Sequence, residues 1–277
     1  MKRLTIDCAG DCLDLSQPRV MGILNVTPDS FSDGGRHVTI DAAVARGRRM
    51  VEEGASIIDI GGESTRPGAD PVSVDEELKR VVPVIERLTK EISVPVSVDT
   101  RKAKVMREAV AAGAGMINDV AALREEGALE TAAELGVPVC LMHMQGTPDT
   151  MQKAPVYTDV VKTVAGFLSG RVEACLAAGI PRHNLLVDPG FGFGKRLAHN
   201  IALLKHLDDI VSLGLPVLVG MSRKSMIGQL LDRPLDERVF GSVAAAVVAV
   251  MKGAIVVRTH DVGPTLDALK VAAAVLE

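Results

Sequence analysis

Aromatic residues are nearly absent from this chain: one Tyr, five Phe and no Trp make up 2% of its 277 residues. Val, Ala and Leu must supply the core, and any aromatic outside an apolar helix or strand needs a reason to be there. Long apolar runs are missing too. The longest, Val243 to Met251, is too short to span a bilayer and stops at Lys252. Lys2 and Arg3 are followed at once by Asp7, Asp11 and Asp14, so no signal-peptide apolar region is present. Cys8, Cys12, Cys140 and Cys175 are scattered, and no nearby His or Cys completes a zinc spacing, which reads as four reduced thiols. A net charge of −4 is small for this length. It argues against nucleic acid as a bulk partner and leaves room for a local cationic pocket. The expectation is a cytoplasmic protein with neither membrane nor nucleic-acid partners.

What is present is an alternation. Hydrophobic residues make up 47% of the chain. After a weak hairpin pattern, Leu4-Thr5-Ile6 and Leu13-Asp14-Leu15 around Gly10-Asp11, short apolar runs recur with the length and β-branched content of buried strands. They are Val20–Leu24, Ser56–Ile60, Pro95–Val98, Met116–Ile117, Val137–Met142, Leu185–Val187, Pro216–Val219 and Ala254–Val257. Helical stretches separate them: Asp41–Glu53, Val74–Glu91, Lys102–Ala112, Arg124–Leu135, Asp159–Ala178, Asn200–Val211, Glu237–Met251 and Thr265–Leu276. No composition shift or linker divides the series. Eight β-α units point to an α/β fold, a single (β/α)8 TIM barrel domain over residues 1–277 with a short N-terminal hairpin; about 250 residues is typical of that barrel. A doubly wound open sheet would need a dinucleotide fingerprint after its first strand, and none is there.

The residues that end the runs carry the functional signal. They are Asn25, Asp59, Asp99, Asn118, His143, Asp188, the segment Ser222-Arg223-Lys224, and Arg258 with His260. Any one of them could be a helix cap or a turn former. Eight together, in a barrel, converge on the face where that fold places its active sites. Asp59, Asp99 and Asp188 with Asn118 suit a planar heterocycle that offers adjacent donors and acceptors. For Asp59, inside its strand, pairing with a buried Lys or Arg is a serious rival.

A second group is cationic. Arg66, Lys224, Arg258 and His260 follow strands, as Thr65 does, and with Asn25 they look like a diphosphate site. The sequence DPGFGFGK, Asp188 to Lys195, fails the Walker spacing and has Arg196 where Ser or Thr is required. Its glycines allow sharp turns and hold Phe191 and Phe193 in place. Either phenyl could be packing at the barrel mouth or a surface for an aryl ring; stacking is expected of Phe193 and a lid role of Phe31.

These blocks, LNVTPDSFSDGG, IDIGGESTRPGA, SVDT, INDV, LMHMQGTP, DPGFGFGK, GMSRKS and RTHDV, resemble the dihydropteroate synthase family of the folate pathway, the target of sulfonamide inhibitors. They run in order from about Val20 to Val262. The resemblance implies condensation of 6-hydroxymethyl-7,8-dihydropterin diphosphate with 4-aminobenzoate, assisted by Mg2+, in a homodimer. It implies that Asp99, Asn118, Asp188 and Lys224 line the pterin pocket. It places Asn25, Thr65, Arg66, Arg258 and His260 around the diphosphate, with Asn25 on the metal. Thr65, Pro67, Phe193, Lys224 and Ser225 would surround 4-aminobenzoate, and Phe31, Asp33 and Arg66 would lie on two mobile loops. Asp99, Lys224, Arg258 and His260 are the implied catalytic residues. The alternatives are a pterin-binding methyltransferase domain, which has little use for the STRPG and SFSDGG loops, and a catalytically silent pterin binder.

Overall fold

A computed structural model describes residues 5–27, 36–64, 70–147 and 150–276 of the chain. Strands β3 (Arg19–Asn25), β4 (Ile57–Gly61), β5 (Val96–Asp99), β6 (Met116–Asp119), β7 (Val139–Met142), β8 (Leu185–Asp188), β9 (Leu218–Val219) and β10 (Val256–Thr259) form one parallel sheet. Its order is β8-β7-β6-β5-β4-β3-β10-β9, and a single bridge between Val187 and Val217 joins its two ends. The eight-unit barrel expected from the alternation is therefore present. A preceding antiparallel hairpin, β1 (Thr5–Cys8) and β2 (Asp11–Asp14), turns at Ala9-Gly10.

The hairpin is a plug. Its Ile6, Cys8 and Leu13, with Leu15 just beyond, pack against Met21, Ile57, Met116, Cys140, Leu186, Leu218 and Val256. Those residues belong to seven of the eight strands and point into the barrel, because successive side chains alternate between its two faces. Gly115, before β6, shows how closely the plug sits: a Cβ there would collide with the Cys8 carbonyl. The opposite faces of the strands carry Val20, Ile58, Ile60, Val98, Ile117, Leu141 and Val187, which pack on the helices.

The helices form for ordinary reasons. Helix α1 (Arg36–Glu52) follows β3. Helix α2 (Val74–Glu91) is capped by Ser73, whose Oγ accepts from the Glu76 amide at 3.2 Å, and buries Val81, Val84, Ile85 and Leu88 at helical spacing. Helices α3 (Ala103–Ala111) and α4 (Ala128–Leu135) follow, α4 stopping at Gly136 in the left-handed conformation. Helix α5 (Val160–Ala177) is capped by Asp159.

Several boundaries differ from the sequence expectation, the earliest being the start of α1, at Arg36 rather than Asp41. The fourth helix begins at Ala128 rather than Arg124, after a turn in which Asp119 accepts from the Ala121 and Leu123 amides, each at 2.7 Å. The stretch expected as one helix to Val211 is two, α6 (Leu197–Lys205) and α7 (Leu207–Val211), broken at His206 by a non-helical backbone. An extra helix, α8 (Ser225–Leu231), precedes α9 (Val239–Met251). Helix α10 (Val262–Leu276) starts three residues before Thr265 because its first turn tolerates Pro264, which needs no amide partner there.

Candidate active site

The strand ends meet as expected. Ile57 and Asp59 of β4, Met116 and Asn118 of β6, Leu186 and Asp188 of β8, and Val256 and Arg258 of β10 are each two residues apart and share the inner face. Above the apolar plug the barrel interior thus becomes polar.

At its centre, Arg258 joins two carboxylates. Its Nε donates to Asp59 Oδ2 at 2.6 Å and its Nη2 to Asp99 Oδ2 at 2.7 Å. Asn118 Nδ2 donates to the same Asp59 oxygen at 3.0 Å. Asp59 is fully buried, so its pairing with a cation, the rival noted above, is realised by Arg258. Its other oxygen has no hydrogen-bond partner among the described residues. Burial pushes the Asp99 carboxyl up to about 7; Arg258 pulls against the rise and Asp59 adds to it. Burial also works against the Arg258 charge, but Asp59 and Asp99 outweigh it and raise its pKa. Although the sequence grouped Arg258 with the diphosphate cations, here two of its nitrogens belong to the carboxylate cluster.

Across the mouth, Asp188 accepts from the Gly190 amide at 2.7 Å. Burial raises its pKa, while Lys224 and the Gly190 amide pull it down. Lys224 donates to the Phe191 carbonyl at 2.5 Å and lies 4.5 Å from the centre of the Phe193 ring. Burial pushes its pKa down to about 8, with Asp188 opposing and Arg258 assisting. The two phenyls divide. Phe191 is fully buried and packs in the core, whereas Phe193 is half-buried beside Lys224. Asn25 stands half-buried at the end of β3, its Oδ1 and Asp99 flanking the open side of Gly61. Ser225, exposed, opens α8, and His260 directly follows β10. Phe31, Asp33, Thr65, Arg66 and Pro67 lie outside the described residues.

The loop between Asp188 and Lys195 is held at every carbonyl from Gly190 to Gly194. Lys195 donates to Gly190 and Phe193 at 2.8 and 3.0 Å, Lys224 to Phe191, Gln152 to Gly192, and the Tyr157 hydroxyl to Gly194 at 2.8 Å. Gly190 has φ +68, and a Cβ there would strike the His143 carbonyl. Sequence reasoning missed Lys195, because a lysine after a glycine run reads as a surface charge. It is 3% exposed, and its ammonium also reaches His143 Nδ1 at 2.9 Å. Burial and the nearby Lys195 charge push His143 down to about 3, so this strand-end residue is a neutral prop for the loop.

A second missed group holds the ends of the segment after β4. Glu63 accepts from the Val72 amide at 3.0 Å and from Lys102 at 3.1 Å, and Lys102 also donates to the Val72 carbonyl at 2.7 Å and to fully buried Glu77. Burial opposes ionisation of Glu63, but the Val72 amide and Lys102 prevail and lower its pKa. Nothing in the spacing of these residues announces the cluster.

Residues 21–260 match a family described as pterin binding enzymes. The dihydropteroate synthase of Haemophilus influenzae is 56% identical over 260 residues, which cover 94% of each chain. This chain belongs to the dihydropteroate synthase family. A solved dihydropteroate synthase of Xanthomonas albilineans with 4-aminobenzoic acid has a TM-score of 0.95 at 58% identity, covering 99% of both chains. The Yersinia pestis dihydropteroate synthase in complex with a sulfonamide drug has a TM-score of 0.94 at 56% identity, covering 98% of this chain and 99% of its own. Membership in the dihydropteroate synthases removes the methyltransferase alternative and makes the chain an enzyme of the transferase class. Among the described residues no helix is long and apolar enough to cross a membrane.

Proposed function

We propose that this chain condenses 6-hydroxymethyl-7,8-dihydropterin diphosphate with 4-aminobenzoate, using the carboxylates inside the mouth for the pterin and the rim cations for the diphosphate. The observation that carries the division is the Arg258 bridge to Asp59 and Asp99, which sits where the two groups meet. Asp188 accepts paired N–H donors of the pterin ring, Asn118 adds an amide, and Lys224 donates to a ring oxygen. Arg258 Nη1, which makes no hydrogen bond among the described residues, and His260 serve the diphosphate, together with Asn25, Thr65 and Arg66.

The C–O bond to diphosphate breaks first, and its electron pair leaves with the diphosphate. The dihydropterin delocalises the cation that forms, and the carboxylate of Asp99 stabilises it. The neutral arylamine then attacks the exposed carbon, forms the C–N bond and loses a proton. Because the arylamine is already nucleophilic, no activated serine or cysteine is needed. Phe193, Pro67 and Thr65 flank its ring, and Lys224 with Ser225 faces its carboxylate. Phe31, Asp33 and Arg66 close over the site. Sulfonamides occupy the place of 4-aminobenzoate.

Mg2+ fits this arrangement. No group of three or more His, Cys, Asp or Glu among the described residues could hold a metal, whereas Mg2+ is commonly bound by one or two protein oxygens plus substrate phosphates and water. Asn25 Oδ1 offers such an oxygen. The ion, when bound, neutralises charge on the departing diphosphate.

Homodimerisation and residence in the cytoplasm complete the reading. Four free thiols, three of them buried, suit a reducing compartment, which fractionation checks. Leu230 and Leu231 of α8 and Phe240 of α9, the last 89% exposed, form an apolar surface suited to a second copy. Sedimentation as a monomer would remove that part. The deciding experiment for the activity is diphosphate release that requires both 4-aminobenzoate and Mg2+. Folded protein that releases none overturns the proposal.

A further inference from the structure

The loops after β9 and β10 are joined by two adjacent links. Arg223 grips Asp261 with two hydrogen bonds, Nε to Oδ2 at 2.9 Å and Nη2 to Oδ1 at 2.5 Å. One residue earlier in each loop, Ser222 meets His260 twice: the His260 amide donates to Ser222 Oγ at 3.2 Å, and Ser222 Oγ lies 3.0 Å from His260 Nδ1. The His260 carbonyl is held as well, by Arg46 Nη2 of α1 at 3.0 Å. Backbone links alone would fix the loop. The contact to Nδ1 does something different.

A serine hydroxyl has one hydrogen to give. The neighbouring hydroxyls decide where it goes. Thr265 donates its own hydrogen to the Asp261 carbonyl at 2.7 Å, so Thr265 Oγ1 is the acceptor in its 3.2 Å contact with Thr259. Thr259 accepts from the Asp261 amide at 3.1 Å, and its oxygen is 3.4 Å from Ser222 Oγ, beyond the range of a good O–H···O bond. Among the described residues the Ser222 hydrogen therefore has one well-placed acceptor, His260 Nδ1. An imidazole nitrogen that accepts carries no proton, so in the neutral ring the proton is on Nε2, at the opposite edge.

We propose that Ser222 is a positioning residue that sets the tautomer of His260, so that the imidazole presents an Nε2–H donor to the diphosphate. This rests on placing His260 at the diphosphate. A ring with the other tautomer would offer a lone pair to an anion. Ser222 is 8% exposed, and it touches the reaction only through His260.

The test is a long-range 1H–15N correlation spectrum of the full chain labelled in histidine, recorded above the ordinary histidine pKa, with His260→Gln assigning the resonance. Wild type should show the neutral Nε2–H form alone. Ser222→Ala should show a mixture of both forms and lose about 10- to 100-fold in turnover, the size of effect seen when a partner that orients a metal-ligating histidine is removed. Its KM for 4-aminobenzoate should not change. Ser222→Thr, which keeps the hydroxyl, should restore both tautomer and rate. An Nδ1–H wild type, or a Ser222→Ala spectrum identical to wild type, overturns the proposal. Inorganic diphosphate bound equally by wild type and His260→Ala would instead overturn the diphosphate assignment, whatever the tautomer.

Discussion

Along β6 the inward side chains are Met116 and then Asn118, along β8 Leu186 and then Asp188, and along β10 Val256 and then Arg258. One step of two residues, about 7 Å of strand, separates a floor that is apolar on seven of the eight strands, with Ser97 on β5 the buried polar exception, from a mouth full of charge. The floor is sealed by Ile6, Cys8, Leu13 and Leu15 and holds the barrel in shape. The mouth holds buried carboxylates near one another, an arrangement that is costly unless cations share the space. The same strands therefore carry stability at one end and chemistry at the other.

That contrast can be broken from either end. Asp188→Ala gives the largest effect. Two charge-assisted hydrogen bonds to the pterin are lost, together worth about 3–6 kcal/mol, so calorimetry should find pterin binding weakened more than about a hundredfold. Retained affinity would put the pterin elsewhere.

At the floor the outcome should invert. Ile6→Ala should lower the unfolding free energy by about 2–5 kcal/mol, as large-to-small changes in cores do, and leave both KM values unchanged. Urea denaturation beside steady-state kinetics reads both, and altered KM values would show that floor and mouth are coupled.

The smallest effect concerns pH. With its pKa held near 8 by burial, Lys224 loses its charge as pH rises through that value, and its hydrogen bond to the pterin loses its charge assistance. Turnover should decline above about pH 8 in wild type. Lys224→Arg, which stays charged throughout, should lack this limb, even at a lower rate. The same limb in both proteins would assign it to another group.

Much of this contrast was legible in the sequence. Each strand announced itself by an apolar run, and polar residues stood at or within a few positions of each strand's end because turns and sites favour the same residue types. Asp99, Asn118, Asp188 and Lys224 could be named from that pattern with the family's motifs. The partners could not. Arg258 and Asp59 are 199 residues apart, and nothing local says that one will neutralise the other. Lys195 was invisible because its burial depends on His143, which arrives from a different strand. The short β9 was overestimated, since Pro216 and Val217 look like strand but only Leu218 and Val219 join the regular ladder. The hairpin was visible as a hairpin; its destination was not.

That destination bears on the order in which the molecule can assemble. The hairpin precedes every barrel strand along the chain, yet its docking surface includes Leu218 and Val256 of the last two. During synthesis its apolar face waits, without its full set of partners, until β10 has been made. Contacts so distant in sequence are slow to form, because a long loop must close before they contribute. A segment made before every barrel strand is thus among the last that can be fully seated, and closing the floor completes the barrel.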